Sequence, residues 1–236
     1  MFPGNRLNQN NSGESVGVKL HLGCGQNYLE GYVNVDLPSE GQTVMNAQAD
    51  VYQDIRTLSY QENSVDEIRN HHLLEHFNRQ EAIKLLLQWR RWLKIGGMLF
   101  IETPDFETMA KKFSKAGLEE KFKLARHIFG SHEADWATHK DWWGEGKFGF
   151  VLSKLGFEDI KIEKISNMTS KMIPDRLASI GKIIPGVSDC LDNVVVKAKK
   201  SGIVIDEKRV AEEILSMSLI GKEKEILNVW LNRISG

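Results

Sequence analysis

The spacing of hydrophobic residues predicts strands that alternate with helices. Short apolar runs bounded by glycine or polar residues are typical of strands, and they occupy residues 18–22, 32–36, 65–69 and 98–102. Between the last two runs, apolar residues recur at helical spacing after Asn78 and Glu81, a capping-box pair, until Gly96 and Gly97 stop the helix. The order strand, helix, strand predicts an α/β protein with a doubly wound, mostly parallel sheet.

The pattern changes in the second half of the chain. It predicts a helix over 105–116, a helix that runs into a strand near 155–165, and a strand at 193–199. The irregular segment 166–192 is longer than an ordinary connection and is a candidate lid. Two amphipathic helical stretches, 206–220 and 222–234, follow.

These elements predict three parts. Residues 1–17 are rich in Asn, Gly and Ser and should form a flexible tail. Residues 18–200 form the main domain, and residues 201–236 form a helical C-terminal extension that packs on it or makes a homodimer.

The charge and the cysteine content of the chain limit which binding partners and which cellular compartment we expect for the protein. The 31 Lys and Arg residues nearly balance the 32 Asp and Glu residues, so nothing in the overall charge favours nucleic acid. No run approaches the roughly 18 apolar residues of a membrane span, and the N-terminus lacks the apolar stretch of a secretory signal. Cys24 and Cys190 match no metal spacing and are expected to be free thiols. We therefore expect a cytoplasmic protein that acts on a small molecule and binds neither nucleic acid nor membrane.

A glycine pair follows the first strand. In "LHLGCG", Gly23 and Gly25 let a ligand approach the backbone closely, and Asp36 at the end of the next strand can accept hydrogen bonds from ribose hydroxyls. Two glycines alone also suit an ordinary turn, so the neighbouring motifs decide between the alternatives.

Residues 18–160 resemble the class I S-adenosylmethionine-dependent methyltransferases, particularly the small-molecule enzymes related to ubiquinone-biosynthesis methyltransferases. The shared motifs, in family order, are "LHLGCG", "VNVD", "DIRTLSYQENSVDEI", "LLEHF" and "LKIGGMLFIETP". The resemblance implies a Rossmann-like, seven-stranded fold and S-adenosylmethionine as cofactor. It implies cofactor contacts from His21, Gly23, Cys24, Gly25, Asp36, Leu37, Asp54, Ile55, Asn70 and His71. Among these, Asp36 would hold the ribose, and Asp54 with the Ile55 backbone would address the adenine.

The chain departs from the nucleotide-binding pattern in the first crossover. Only six residues separate Gly25 from Tyr32, so the first helix must be shortened to about a turn. Asp36 follows Gly25 by eleven positions, whereas dinucleotide-binding folds place the acidic residue about 20 positions on. A nicotinamide fingerprint is therefore a poor fit. Ile95, where the family usually has proline, should be harmless.

The stretch "HHLLEHF", residues 71–77, matches the H-x-x-E-H signature of zinc proteases. That chemistry requires His72, Glu75 and His76 on one helix, but Asn78 is a good N-cap, which places the cluster in the turn before the helix. Some relatives bind a divalent ion through E-x-x-E-H, and here His72 replaces the first glutamate. Because further ligands are unidentified, we predict no metal and a loop-ordering role, with a metal as the alternative.

The stretch "RHIFGSHEADWATHKDWW", residues 126–143, follows the fifth strand, where this family usually shapes its acceptor pocket. Trp136, Trp142 and Trp143 can contact a sugar or an aromatic acceptor there, or can simply pack. His139 in this stretch is our first candidate for the catalytic base, and His71 is the second.

The predicted function is methyl transfer from S-adenosylmethionine to a small-molecule acceptor at oxygen. Hydroxyl nucleophiles need a base, and histidines are abundant on the presumed acceptor side. A non-catalytic S-adenosylmethionine-binding domain is the main alternative. A nicotinamide-dependent oxidoreductase and a zinc hydrolase are less favoured alternatives.

Overall fold

A computed structural model of the chain describes residues 17–38, 46–165 and 192–235. The predicted tail lies outside these ranges except for its last residue, Gly17, and the predicted lid lies outside them except for its last residue, Asp192. Cys190 also lies outside the described residues.

The described residues form one seven-stranded sheet. Its strands are β1 (Val18–Leu22), β2 (Val33–Asp36), β3 (Val51–Tyr52), β4 (Val65–His71), β5 (Leu93–Pro104), β6 (Phe157–Ile165) and β7 (Asn193–Lys200). Their spatial order is β3-β2-β1-β4-β5-β7-β6. The first five pair in parallel, and β7 is antiparallel to both of its neighbours. The doubly wound, mostly parallel sheet is thus confirmed, and its direction of winding reverses between β1 and β4, the position at which such sheets bind ligands.

Helices flank the sheet on the described part of the chain. They are α1 (Arg79–Trp92), α2 (Phe106–Lys115), α3 (Leu118–Phe129), α4 (Glu145–Lys154), α5 (Glu207–Ser216) and α6 (Leu227–Ser235). Leucines of α1 and the fully buried Trp89 belong to the same hydrophobic core as Leu20 of β1 and Ile68 of β4. None of these helices combines the length and apolarity needed to cross a bilayer.

Helix α1 begins as the sequence predicts but ends earlier. The Asn78 side chain accepts from the Gln80 and Glu81 backbone N–H groups, and Glu81 completes the capping box. The helix stops at Trp92 and not at the glycines, because the chain enters β5 directly at Leu93. Gly96 and Gly97 instead lie at an irregularity in the β4–β5 pairing. A Cβ on Gly97 would lie 2.9 Å from the Lys94 carbonyl oxygen, so this irregularity requires glycine.

The crossover between β1 and β2 contains turns only over residues 23–32, so the shortened first helix is reduced further than the sequence suggested. The buried Asn34 side chain holds this crossover. Its Oδ1 accepts from Leu29 N–H (2.9 Å), and its Nδ2 donates to the Leu29 carbonyl (3.0 Å) and to Asp50 Oδ2 (3.1 Å). One buried amide therefore replaces the support that a helix usually provides.

The C-terminal extension packs on α1. Arg91 Nη2 of α1 lies 2.5 Å from Glu207 Oε2 of α5, and Lys84 Nζ donates to the Arg233 carbonyl at 2.6 Å. Ala211 and Leu231 are buried in the main core. The extension is thus continuous with the core of the domain.

Candidate active site

The glycine loop has the conformation that its residues suggest. Gly23 and Gly25 have φ angles of 65° and 53°, a region that side chains rarely adopt. A Cβ on Gly23 would lie 2.7 Å from Leu73 Cδ1. Gly25 N–H donates to Asp36 Oδ2 at 2.6 Å, which ties the loop to the end of β2. The loop is therefore narrow, glycine-dependent and held at the reversal point of the sheet.

Asp36 is positioned to hold a polar ligand at this edge. Its Oδ1 accepts from Leu37 N–H at 2.7 Å, so each oxygen already has one backbone donor. Burial raises the pKa of Asp36, and the N–H groups of Gly25 and Leu37 oppose the shift. A carboxylate offers about four lone-pair sites, so capacity remains for ribose hydroxyls.

Cys24 lies within the loop, between Gly23 and Gly25, and is a free, buried thiol. Its Sγ donates to the Gln48 carbonyl at 3.3 Å. Burial, with the nearby Asp36 charge, raises the pKa of Cys24 to about 12. At neutral pH the protonated thiol, a poor nucleophile, is therefore favoured.

Asp54 and Ile55 lie at the same edge of the sheet. Gln53 N–H, next to Asp54, donates to the Asp36 carbonyl at 2.8 Å. Asp54 caps a short 3₁₀ helix, Ile55–Thr57, by accepting from Arg56 N–H, and it pairs with the Arg56 guanidinium at 2.6 Å. This contact lowers the pKa of Asp54 and holds the carboxylate in place. The structure thus brings together the residues assigned to ribose and to adenine.

The end of β4 carries Asn70 and His71. Asn70 is fully buried, and neither polar atom of its side chain has a hydrogen-bond partner in the described ranges. His71 Nδ1 lies 3.0 Å from Glu102 Oε2 of β5, and the rings of His71 and His21 meet edge to face at 5.7 Å. An unpaired buried amide beside the glycine loop is free to bind the polar groups of a cofactor.

His21 of β1 contacts both Asn34 and His71. Its Nδ1 lies 3.0 Å from Asn34 Oδ1, and burial lowers the pKa of His21 to about 4. The ring is therefore neutral and forms part of the buried support for the crossover and for His71.

The "HHLLEHF" cluster lies in a turn, as the Asn78 cap predicts. His72 has φ of 50°, and its N–H donates to the Glu102 carbonyl at 2.8 Å. A 3₁₀ helix, Leu74–His76, follows before α1 begins. The continuous helix that a zinc protease would need is not formed here.

The two histidine-rich stretches meet at Glu75. Lys140 N–H donates to the Glu75 carbonyl at 2.8 Å, and the rings of His76 and His139 lie 4.8 Å apart. Glu75, His76 and His139 each offer a ligand atom within 4.8 Å of the other two, so together they can hold a metal ion. The sequence linked Glu75 and His76 with His72 but had no means to add His139.

The three tryptophans separate into two groups. Trp143 is 1% exposed and stacks on Phe148 at 4.6 Å, so it is a core residue. Trp136 and Trp142 are 40% and 45% exposed and stay candidates for acceptor contact.

Sequence reasoning missed Glu102 and Asn193. Asn193 Nδ2 donates to Glu102 Oε1 at 2.7 Å, so Glu102 is held between His71 and Asn193. The available signal was the charged residue at the end of the apolar strand "MLFIE", which is buried in the structure.

The chain matches known methyltransferases in two comparisons. Residues 20–101 match the family model described as "Methyltransferase domain". No curated protein matches the sequence.

Solved structures with a similar fold include three proteins. Phosphoethanolamine N-methyltransferase 2 of Haemonchus contortus, in complex with S-adenosyl-L-methionine, is 17% identical with a TM-score of 0.46, over 78% of this chain and 49% of that one. A SAM-dependent methyltransferase from Archaeoglobus fulgidus is 17% identical with a TM-score of 0.47, over 78% of this chain and 86% of that one. A SAM-dependent methyltransferase from Methanosarcina mazei is 14% identical with a TM-score of 0.46, over 78% of this chain and 92% of that one. The chain thus spans about half the length of the nematode enzyme. By the family model, residues 20–101 thus match a methyltransferase domain, and the strand order and glycine loop of the described residues are those of the Rossmann-like methyltransferase fold.

Proposed function

We propose that the chain transfers a methyl group from S-adenosylmethionine to an oxygen atom of a small-molecule acceptor. The observation that carries this proposal is the pairing of His71 with the buried carboxylate of Glu102 beside the glycine loop. A hydroxyl must lose its proton when it attacks, whereas a neutral amine needs no base for the attack itself.

Residues of the site fit the cofactor. Asp36 has lone pairs left for ribose hydroxyls, and the Asn70 amide offers an unpaired donor and acceptor. Gly23 and Gly25 leave the backbone open to close approach. When bound, S-adenosylmethionine supplies an electrophilic methyl group.

His71 and Glu102 form an arrangement that can accept a proton. If His71 Nδ1–H donates to Glu102 Oε2, then Nε2 carries the lone pair that accepts the acceptor's hydroxyl proton. The Glu102 carboxylate then stabilises the imidazolium. The His71 side chain is 27% exposed, so its ring is accessible from solvent.

His139 is the second candidate base, although the sequence placed it first. Burial lowers the pKa of His139, so a neutral ring is favoured. Its ring lies against His76 and near Glu75, an environment that suits metal ligation as well as proton transfer. The Glu102 partner of His71 is the reason that we place His71 first.

The acceptor proposed here is a sugar or an aromatic compound. Trp136 and Trp142 expose aromatic surface on the segment that follows α3. Lys147 Nζ lies 5.0 Å from the Trp142 ring centre and pairs with Asp141 at 2.6 Å. Aromatic surface beside polar groups is a common lining for such ligands.

A labelling experiment tests the function. The protein is incubated with methyl-labelled S-adenosylmethionine and a metabolite extract, and the labelled product is identified by mass spectrometry. Label on the oxygen of a small molecule supports the proposal. Cofactor binding without transfer to any compound supports the non-catalytic alternative, and label on nitrogen refutes the choice of oxygen. Tight NADH binding instead of S-adenosylmethionine binding would indicate an oxidoreductase.

A further inference from the structure

We propose that Glu75, His76 and His139 bind a divalent transition-metal ion. The three side chains come from the 3₁₀ helix Leu74–His76 and from the segment after α3, and their ligand atoms lie within 4.8 Å of one another. This proposal replaces the loop-ordering role that the sequence suggested for Glu75 and His76.

The Glu75 carboxylate is the first argument. Glu75 is 2% exposed, and within the described part of the chain neither of its oxygens makes a regular hydrogen bond; its polar neighbour is His72 Nδ1, at 3.3 Å from Oε1. A buried carboxylate without hydrogen bonds is costly unless a cation compensates it.

The orientation of His76 is the second argument. His76 Nδ1 lies 3.3 Å from the Thr138 carbonyl oxygen, which can only accept, so Nδ1 carries the proton. In the neutral ring, Nε2 then has a free lone pair. Metal-binding histidines commonly donate their second ring N–H to a backbone carbonyl in this way.

The rigidity of the scaffold is the third argument. His139 N–H donates to the Phe129 carbonyl at 3.0 Å, and Lys140 N–H donates to the Glu75 carbonyl at 2.8 Å. These backbone bonds hold His139 beside Glu75 without any metal. Because the ligands are already held in place, less conformational entropy is lost when the ion binds than at a site that must first be ordered, and binding is stronger.

His72 supports the site without being one of the three ligands. Asn193 Nδ2, a donor, lies 3.3 Å from His72 Nε2, so the proton of a neutral His72 ring is on Nδ1. That nitrogen lies 3.3 Å from Glu75 Oε1 and helps to orient the carboxylate. The series Glu102, Asn193, His72, Glu75 thus connects the proposed base to the proposed metal site.

The ligand types indicate the metal. Two imidazoles and one carboxylate suit Zn²⁺, Co²⁺, Fe²⁺ or Mn²⁺, whereas Mg²⁺ and Ca²⁺ prefer oxygen ligands. Three protein ligands leave at least one coordination position open. If the proposed function holds, that position can bind an oxygen of the acceptor and orient it; this role rests on the proposed function, whereas metal binding does not.

Direct metal binding tests the site. Untagged protein is treated with a chelator, dialysed, and titrated with Co²⁺ by visible absorption and with Zn²⁺ by calorimetry. We expect one equivalent of each ion to bind, Co²⁺ with ligand-field bands, and Mg²⁺ to compete poorly. His139→Ala removes a ligand, so it should weaken binding by more than the roughly 10–100-fold that is typical of losing an outer-shell partner. His132→Ala is the matched control, because His132 is an exposed histidine of the same stretch that lies outside the group, and its affinity should match that of the unmodified chain.

Several outcomes would overturn the proposal. These are a folded protein that binds neither Co²⁺ nor Zn²⁺, unchanged affinity in His139→Ala, an equal loss in His132→Ala, or equal binding of Mg²⁺. Glu75→Gln provides a second variant that keeps the side-chain shape; it should also lose the metal, and circular dichroism reports whether it folds. None of these measurements needs turnover, so failure of the metal site is distinguishable from failure of the methyltransferase proposal.

Discussion

Glu102 Oε2 lies 3.0 Å from His71 Nδ1, across the paired strands β4 and β5. The two residues are register partners at the carboxyl ends of their strands. Asn193 of β7 donates to the other Glu102 oxygen at 2.7 Å. Three neighbouring strands therefore orient one imidazole at the edge where the glycine loop lies.

Substitution of Glu102 should impair catalysis and leave cofactor binding intact. Glu102→Gln keeps the shape of the side chain but removes the charge that stabilises the His71 imidazolium, so kcat should fall by about 10-fold or more, while His71→Ala should cost about 10²–10⁴-fold. Steady-state kinetics with calorimetric titration of S-adenosylhomocysteine separates the two effects. If His139→Ala abolishes turnover while His71→Ala leaves kcat unchanged, the base is His139.

Removal of the Asp36 carboxylate should weaken cofactor binding. Asp36→Ala deletes an acceptor for ribose hydroxyls, a loss of about 1.5–3 kcal/mol, or roughly 10- to 150-fold in affinity. Calorimetry with S-adenosylmethionine measures the change. Asp66→Asn is the control, because Asp66 pairs with Lys94 (2.7 Å) at the opposite end of β4, and it should bind normally. Equal affinity in Asp36→Ala and the unmodified protein would contradict the assignment.

A side chain on Gly23 should destabilise the glycine loop. Gly23→Ala places a Cβ at φ 65° and against Leu73, and the left-handed conformation alone costs about 1–2 kcal/mol. Urea denaturation measures the loss, and calorimetry should show weaker cofactor binding. Gly149→Ala within α4 has its nearest neighbour at 3.8 Å and should stabilise the protein by about 0.5–1 kcal/mol. A Gly23→Ala protein as stable as the original would refute the geometry of the loop.

Buried histidines should make the fold sensitive to acid. Burial lowers the pKa of His21 to about 4, and that of His127 also to about 4, whereas the unfolded value is 6.5. Between these values the unfolded state binds more protons, so stability is complete above about pH 6.5 and is lost as pH falls towards 4. Each histidine should contribute a loss of about 2 kcal/mol by about pH 5.

The variant His21→Asn isolates one of these contributions. An asparagine can keep a donor towards Asn34 but does not titrate. Urea denaturation at about pH 7 and about pH 5 should show a loss that is smaller by roughly 2 kcal/mol in the variant. The same pH dependence in both proteins would mean that His21 is not the titrating group. His132→Ala, at an exposed histidine, is the control, and the loss of stability between the two pH values should equal that of the unmodified protein.

Local sequence was sufficient to predict much of the fold and the glycine loop. Strands β1 and β4, the Asn78 capping box and the Gly23–Gly25 loop carry local signals, which periodicity and residue type report. Strand β3 was missed because two residues carry no detectable period. Helix α3 was missed because only Leu124 and His127 are buried, so its apolar pattern is weak.

Tertiary structure alone decided which polar groups meet. His139 lies beside Glu75 because the segment after α3 folds back on the 3₁₀ helix Leu74–His76, and Glu102 lies beside His71 because β5 pairs with β4 in one register. Both contacts join residues far apart in the chain, and no local pattern encodes such distances. The sequence by itself therefore determined the parallel sheet and the glycine loop, while the packing of distant segments determined the pairing of His71 with Glu102 and the proposed metal site.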